Sequence, residues 1–127
     1  MNPKILIVDR SEHFCELIRV RLLNYGFDRF VLAQSGRDAL ALFTQEQPQI
    51  VLVEMGLEDV SGLELCRRIK QEAGDTVKVI VMSGLAEPNQ TDEAKEAGAD
   101  AYAVKAFDCV EIIINIKRQV AGAQTAV

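Results

Sequence analysis

The 127-residue chain has no tryptophan and few other aromatics, two tyrosines and five phenylalanines. That leaves no stacking platform for single-stranded nucleic acid. Its three cysteines, Cys15, Cys66 and Cys109, are odd in number and widely spaced, without a CxxC pair. A disulfide framework and a zinc site are therefore poor readings. There is no run of lysine or arginine, and 14 basic against 19 acidic residues leave a net charge of −5 and a pI near 4.9. Direct nucleic-acid binding does not suit that balance. No charge-free apolar stretch approaches the roughly 18 residues that a membrane-spanning helix requires. The apolar run Ile5–Val8 is too short for a secretory leader and leads into Asp9 rather than into small residues. A cytoplasmic chain is expected. The lone His13 has no second ligand nearby and reads as a solvent-facing helix residue.

What is present is an ordinary globular mix, 49% apolar and 26% charged, enough for one domain that buries about two-thirds of its unfolded surface. Short β-branched runs recur at Ile5–Val8, Phe30–Leu32, Ile50–Val53, Val79–Met82 and Ala101–Val104. Three of them are continuously apolar, as strands buried on both faces are. Between them lie segments with helical periodicity. Phe14, Ile18 and Leu22 mark the first, Ala39, Leu40 and Phe43 the second, and Leu65, Cys66 and Ile69 the third; Cys109, Ile112, Ile113, Ile116 and Val120 mark the last. Cys15 falls at a stripe margin, whereas Cys66 and Cys109 read as core thiols. Gly26, Gly74 and Gly98 close helices, Ser35-Gly36 opens the second and Asp108 caps the fifth. Five alternating βα units predict an α/β fold, a parallel sheet covered by helices on both faces. Residues 1–121 form the domain, and 122–127 read as a tail or the start of a linker.

Ligands of such sheets bind beyond the carboxyl ends of the strands. Asp9 and Arg10 follow the first strand, Glu54 the third, Ser83-Gly84 the fourth and Lys105 the fifth. Strand ends are commonly polar, but packing does not require a lysine just past a short terminal strand. A nucleotide enzyme is a weaker reading, because the first strand is followed by Asp-Arg-Ser-Glu-His rather than a glycine-rich phosphate loop or a flavin-type turn.

The segments Ile5–Asp9, Ile50–Glu54, Ser61–Leu65, Val79–Gly84 and Ala97–Phe107, in this order and spacing, resemble receiver domains of two-component response regulators over about residues 3–121. The resemblance implies a flavodoxin-like (βα)5 fold, doubly wound, with strand order 2-1-3-4-5. It also implies a non-enzymatic signalling role in a phosphorelay, with a sensor histidine kinase or another signalling protein as partner. Members of the family accept a phosphoryl group on an aspartate that ends the third strand, with Mg²⁺ held by acidic residues after the first. A hydroxyl and a lysine then contact the phosphate. Asp9 matches the first acidic position, Ser83 the hydroxyl, Lys105 the lysine and Tyr102 the aromatic switch.

Three positions depart from that pattern. Arg10 stands where the second metal-binding acid belongs, Glu54 where the phosphoacceptor aspartate belongs, and Ala106 where a proline usually follows the lysine. The family's three carboxylates and one lysine sum to −2 and call for a divalent cation. Asp9, Glu54, Arg10 and Lys105 sum to zero, which makes Mg²⁺ binding doubtful, and the arginine fork can pair with a carboxylate. The extra methylene of Glu54 moves its carboxylate about 1.5 Å outward, a serious displacement for a transfer that depends on positioning. Within reach of Ser83 and Lys105, that charge partly imitates a phosphorylated site. A plain ion pair between Arg10 and Glu54, with no signalling meaning, is the competing reading, although such pairs add little net stability.

The expected function is thus an atypical receiver that signals through protein contacts without aspartyl phosphate. The alternative is a working receiver that uses Ser83, Asp59 or Glu54 as acceptor. Alanine after Lys105 favours a trans bond, because a cis bond there costs roughly 3–4 kcal/mol, and a relaxed loop would shift Lys105 away from Glu54. Val110 and Ile114 lie off the core stripe of the last helix beside Lys117, which suggests a docking surface, with a homodimer through the face of helix 4, strand 5 and helix 5 as the family precedent.

Overall fold

The computed structural model describes residues 2–84 and 88–125. Strands β1 (Lys4–Val8), β2 (Arg29–Ala33), β3 (Ile50–Glu54), β4 (Lys78–Ser83) and β5 (Ala101–Val104) alternate with helices α1 (Glu12–Leu23), α2 (Gly36–Glu46), α3 (Gly62–Ala73), α4 (Pro88–Glu96) and α5 (Val110–Thr125). All strand pairs are parallel, in the order β2-β1-β3-β4-β5. This is the flavodoxin-like arrangement expected from the sequence.

Successive strand residues point to opposite faces, so a strand buried on both sides must be apolar throughout. Leu6 and Val8, Val51 and Val53, and Val79 and Val81 pack with α2, α3 and α4. Ile5 and Ile7, Ile50 and Leu52, and Ile80 and Met82 pack with α1 and α5. Ser11, Ser35 and Ser61 cap α1, α2 and α3, each accepting from the amide three residues on at 3.1–3.2 Å. Asp108 Oδ1 accepts from Val110 N at 3.1 Å and opens α5.

The stripe of α1 differs from the sequence reading. The core stripe of α1 is Cys15, Ile18 and Leu22. Cys15 is fully buried rather than marginal, because its Sγ lies against the carbonyls of Asp9 (3.6 Å) and Ile7 (3.9 Å) at the end of β1. Phe14 is half-buried at the flank of that stripe. Gly26 closes α1 as expected, with φ +90° and the Phe27 amide donating back to Leu22 O at 3.3 Å. Helix α5 runs Val110–Thr125. Among the described residues, no helix is long and apolar enough to cross a membrane.

Val110 and Ile114 are exposed, as the stripe predicted, but they belong to a different flank of α5. Lys117 continues their row at helical spacing, and its Nζ stands 4.5 Å from the Tyr25 ring beyond the end of α1. The row therefore borders α1, away from α4 and β5.

Gly62 backs directly onto the end of β3. A Cβ there would lie 2.0 Å from the Glu54 carbonyl oxygen and 2.8 Å from Met55 Cα, backbone atoms that cannot swing aside. Gly62→Ala is expected to lower stability by about 1–3 kcal/mol, despite alanine's better helix propensity. Gly56→Ala, where an added Cβ meets nothing within 4 Å, should leave the urea midpoint nearly unchanged. Urea denaturation of the two variants checks the contrast.

Candidate functional site

The carboxyl ends of β1, β3, β4 and the segment after β5 bring Asp9, Arg10, Glu54, Ser83 and Lys105 together. The Asp9 amide donates to Ala33 O at 3.1 Å, which extends the β1–β2 ladder and fixes the turn. The Asp9 side chain is fully buried; Oδ1 accepts from Ser11 N at 2.9 Å, and Oδ2 lies 2.8 Å from Lys105 Nζ, an ion pair without hydrogen-bond alignment. Glu54, the last residue of β3, is also buried. Its Oε1 accepts from Arg10 N at 2.9 Å and its Oε2 from Lys105 Nζ at 3.1 Å. One ammonium thus bridges two carboxylates.

Burial raises the pKa of Asp9, against the opposing pull of Lys105 and the Ser11 amide. For Lys105, burial works toward a lower pKa, but attraction to Asp9 and Glu54 outweighs it and the net shift is upward. The ammonium also lies 4.5 Å from the Phe14 ring centroid, a cation–π contact from α1 that periodicity, reading Phe14 as core, did not reveal.

The expected arginine fork does not form. The Arg10 guanidinium is largely exposed, with Nε 3.7 Å from Glu54 Oε1 and Nη1 3.9 Å from Glu58 Oε1. The turn after β1 aims the Arg10 amide at Glu54 and the side chain outward. Glu58, its second partner, carried no motif in the sequence. No cis peptide occurs among the described residues, as alanine after Lys105 requires. The expected displacement of Lys105 does not follow, however. Its amide still donates to Ser83 O at 2.8 Å, which holds the segment in register with β4 and lets the long side chain span both carboxylates.

Ser83 is half-buried and lines an open cavity of about 440 Å³ with Arg10, Glu54, Met55, Gln90 and Lys105. Tyr102 is half-buried on β5 and donates its hydroxyl to Gln90 Oε1 at 3.0 Å, so Gln90 joins α4, β5 and the cavity. Nothing in the sequence marked Gln90. Asp59 stands apart. Its Oδ1 and Oδ2 accept from Gly36 N and Arg37 N, both at 2.9 Å, at the start of α2. These bonds hold its pKa down to about 2. His13 is exposed, and burial pushes the Cys15 and Cys66 thiols up to about 11, with the Asp9 charge adding to the effect at Cys15. Such thiols are inert at neutral pH.

Removing the bridging cation leaves two buried carboxylates facing each other. Lys105→Met is expected to cost about 2–3 kcal/mol at pH 7, less than a fully buried pair because Lys105 is partly exposed. Asp9 titrates above its unfolded value, so its unfavourable charge is present at neutral pH and removed by acid. The deficit should shrink as pH falls from 7 toward 4, read by urea denaturation at each pH. Asp59 has the opposite sign. Its depressed pKa stabilises the fold above the unfolded value of 3.8 and ceases to do so as pH falls through about 2. The melting temperatures of the wild type and Asp59→Ala should therefore differ at pH 6 and converge toward pH 2.

The sequence model of the response regulator receiver domain matches residues 5–117. Sporulation initiation phosphotransferase F of Bacillus subtilis (strain 168) is 34% identical over 118 residues, 93% of this chain and 94% of that protein. Response regulator MprA of Mycolicibacterium vanbaalenii is 30% identical over 117 residues, 92% of this chain and 50% of the relative, so the chain spans about half the length of that regulator. The BeF3-activated DrrB receiver domain superposes with a TM-score of 0.84 at 28% identity, covering 95% of this chain and 99% of the other. A CheY-like receiver domain protein from Methanospirillum hungatei JF-1 shares the fold over the whole of both chains, with a TM-score of 0.88 at 24% identity. With its sheet order, its strand-end constellation and these matches all in agreement, the chain belongs to the response regulator receiver domain family.

Proposed function

We propose that this receiver domain is an atypical member of its family, a non-catalytic module that signals through protein contacts without forming an aspartyl phosphate. The carrying observation is Lys105 Nζ placed 2.8 Å from Asp9 Oδ2 and 3.1 Å from Glu54 Oε2. The cation that would meet an incoming phosphate is already matched by a carboxylate built into the chain. Glu54 thereby stands in for the charge of a phosphorylated site. The name of the Bacillus subtilis relative describes a phosphotransferase; with glutamate at the acceptor position, that activity does not carry over.

The donor set does not suit Mg²⁺ either. Both oxygens of Asp9 and both of Glu54 already face an amide or an ammonium, and the Arg10 guanidinium lies beside them. A hard divalent ion that needs near-octahedral oxygen ligands would have to displace a cation bound to two carboxylates. The partner class is a sensor histidine kinase or another signalling protein, met in the cytoplasm. A homodimer through α4, β5 and α5 draws no support from Val110 and Ile114, which lie on the far flank of α5.

Incubation with acetyl phosphate and millimolar MgCl2, followed by intact-mass spectrometry, is expected to give no +80 Da species, a shift of about 80 Da being one phosphoryl group. The double variant Glu54→Asp with Arg10→Asp should gain such a species, and either change alone should gain less, because acceptor position and metal charge act together. Stoichiometric labelling of the unaltered chain, mapped to Ser83, Asp59 or Glu54, would overturn the proposal in favour of a working receiver with a non-standard acceptor.

A further inference from the structure

The sheet has two edges, and the chain treats them differently. At the β5 edge the outward amide of Val104 donates to Glu111 Oε1 at 3.3 Å. Nothing plays that part at the β2 edge. Asp9 N donates to Ala33 O, so Ala33 turns its backbone toward β1. Alternation along the strand then turns the backbone groups of Phe30 and Leu32 outward, and among the described residues no hydrogen bond reaches them. The side chains there are apolar and only half-buried. Phe30 and Leu32 lie against the cluster under α1, and Val31 against the cluster over α2. The usual guards of an edge strand, a lysine, a proline or a bulge, are missing from Phe30–Ala33.

We propose that β2 pairs antiparallel with β2 of a second copy, about a two-fold axis through Val31, so that one sheet runs through both. The register follows from the outward groups. Phe30 opposite Leu32 of the second copy, and the reverse, satisfies every outward donor and acceptor of the two residues. Phe30 and Leu32 then meet as cross-strand apolar pairs on one face, and Val31 meets its counterpart on the other.

A self-complementary charge pattern favours a second copy over a foreign strand. Phe14, Arg21 and Tyr25 contact α5 and the segment after β5. Glu16 and Arg19 lie on the opposite side of α1, over the β2 edge. They pair at 2.8 Å, with side chains 47% and 35% exposed. Helix α1 runs opposite to β2, and its length of about 18 Å matches the strand's of about 16 Å. An axis through Val31 therefore passes between Glu16 and Arg19, and Arg19 of each copy faces Glu16 of the other. Glu12, at the start of α1, comes level with Asp28 and Arg29 of the other copy, one charge of each sign. The two Arg29 stand about 13 Å apart along the strands. This dimer does not depend on how the acceptor position is read. It leaves the two carboxyl edges at opposite ends of the shared sheet, so both sites stay open.

Sedimentation equilibrium of the 127-residue protein from about 10 µM to 1 mM should move from 14.0 kDa toward twice that mass. In hydrogen exchange the Phe30 and Leu32 amides should gain protection at the high concentration and not at the low one. Val31→Lys and Val31→Glu each set like charges face to face on the axis and should raise the dimer Kd about tenfold or more. An equimolar mixture of the two should recover association as a heterodimer. Arg19→Glu should weaken the dimer, and adding Glu16→Arg should restore it, because the exchanged pair is again self-complementary. Glu16 and Arg19 are exposed, so this second set reads the axis even where a Val31 variant fails to fold, with thermal melts checking each. A monomer at every concentration would overturn the proposal. So would a dimer indifferent to Val31→Lys and Arg19→Glu, or one in which the Phe30 and Leu32 amides still exchange freely. A monomer whose Phe30 and Leu32 amides are protected by a synthetic peptide of residues 28–34 would overturn it in favour of an extended segment of another protein. None of these outcomes bears on labelling by acetyl phosphate, so the dimer and the acceptor reading fail separately.

Discussion

Two carboxylates buried at one edge of the sheet demand a cation, and Lys105 pairs with both of them. An unpaired buried charge costs several kcal/mol, so the positions of Asp9, Glu54 and Lys105 constrain one another. The constraint extends outward. The Lys105 amide is held by Ser83 O on β4, its ammonium lies against Phe14 on α1, and Arg10 reaches Glu54 through its amide because the turn after β1 is fixed by Asp9. The carboxyl edge is organised around this triad, with both helix layers in contact with it.

Another ion pair braces the amino edge of the sheet. Lys70 on α3 donates to Asp100 Oδ2 and to Val77 O, both at 2.9 Å, while Asp100 Oδ2 also accepts from Val79 N at 2.8 Å. This pair ties α3 to the starts of β4 and β5. The two networks show how position decides meaning. The same side-chain types form a tie between elements at the amino edge and, in the reading proposed above, a neutralised phosphate site at the carboxyl edge, where Glu54 and Lys105 line a cavity with Ser83.

The fold was legible because its signals are local and repeated. Three continuous apolar runs can be satisfied only by strands covered on both faces, and glycine or serine punctuation falls at most element ends. The site was legible because every constituent ends a strand. Glu58, Gln90 and the ring of Phe14 were not, since each acquires its role from a neighbour distant in sequence. Cys15 was misplaced for a related reason. A one-residue rotation of the α1 stripe is invisible to periodicity, and only the packing of the helix against the end of β1 selects it.

The sequence by itself determined the layering, the strand order implied by the family resemblance and the replacement of two acids by Arg10 and Glu54, because these follow from residue identity and short-range spacing. Tertiary structure decided the partners. It gave Lys105 to both carboxylates although Ala106 has replaced the usual proline, turned the Arg10 guanidinium outward and left its amide on Glu54, spent Asp59 on the amides of α2, and set Val110 and Ile114 beside α1. Each of these depends on which side chains the sheet twist and helix packing bring within about 3–4 Å, a distance that no spacing along the chain encodes.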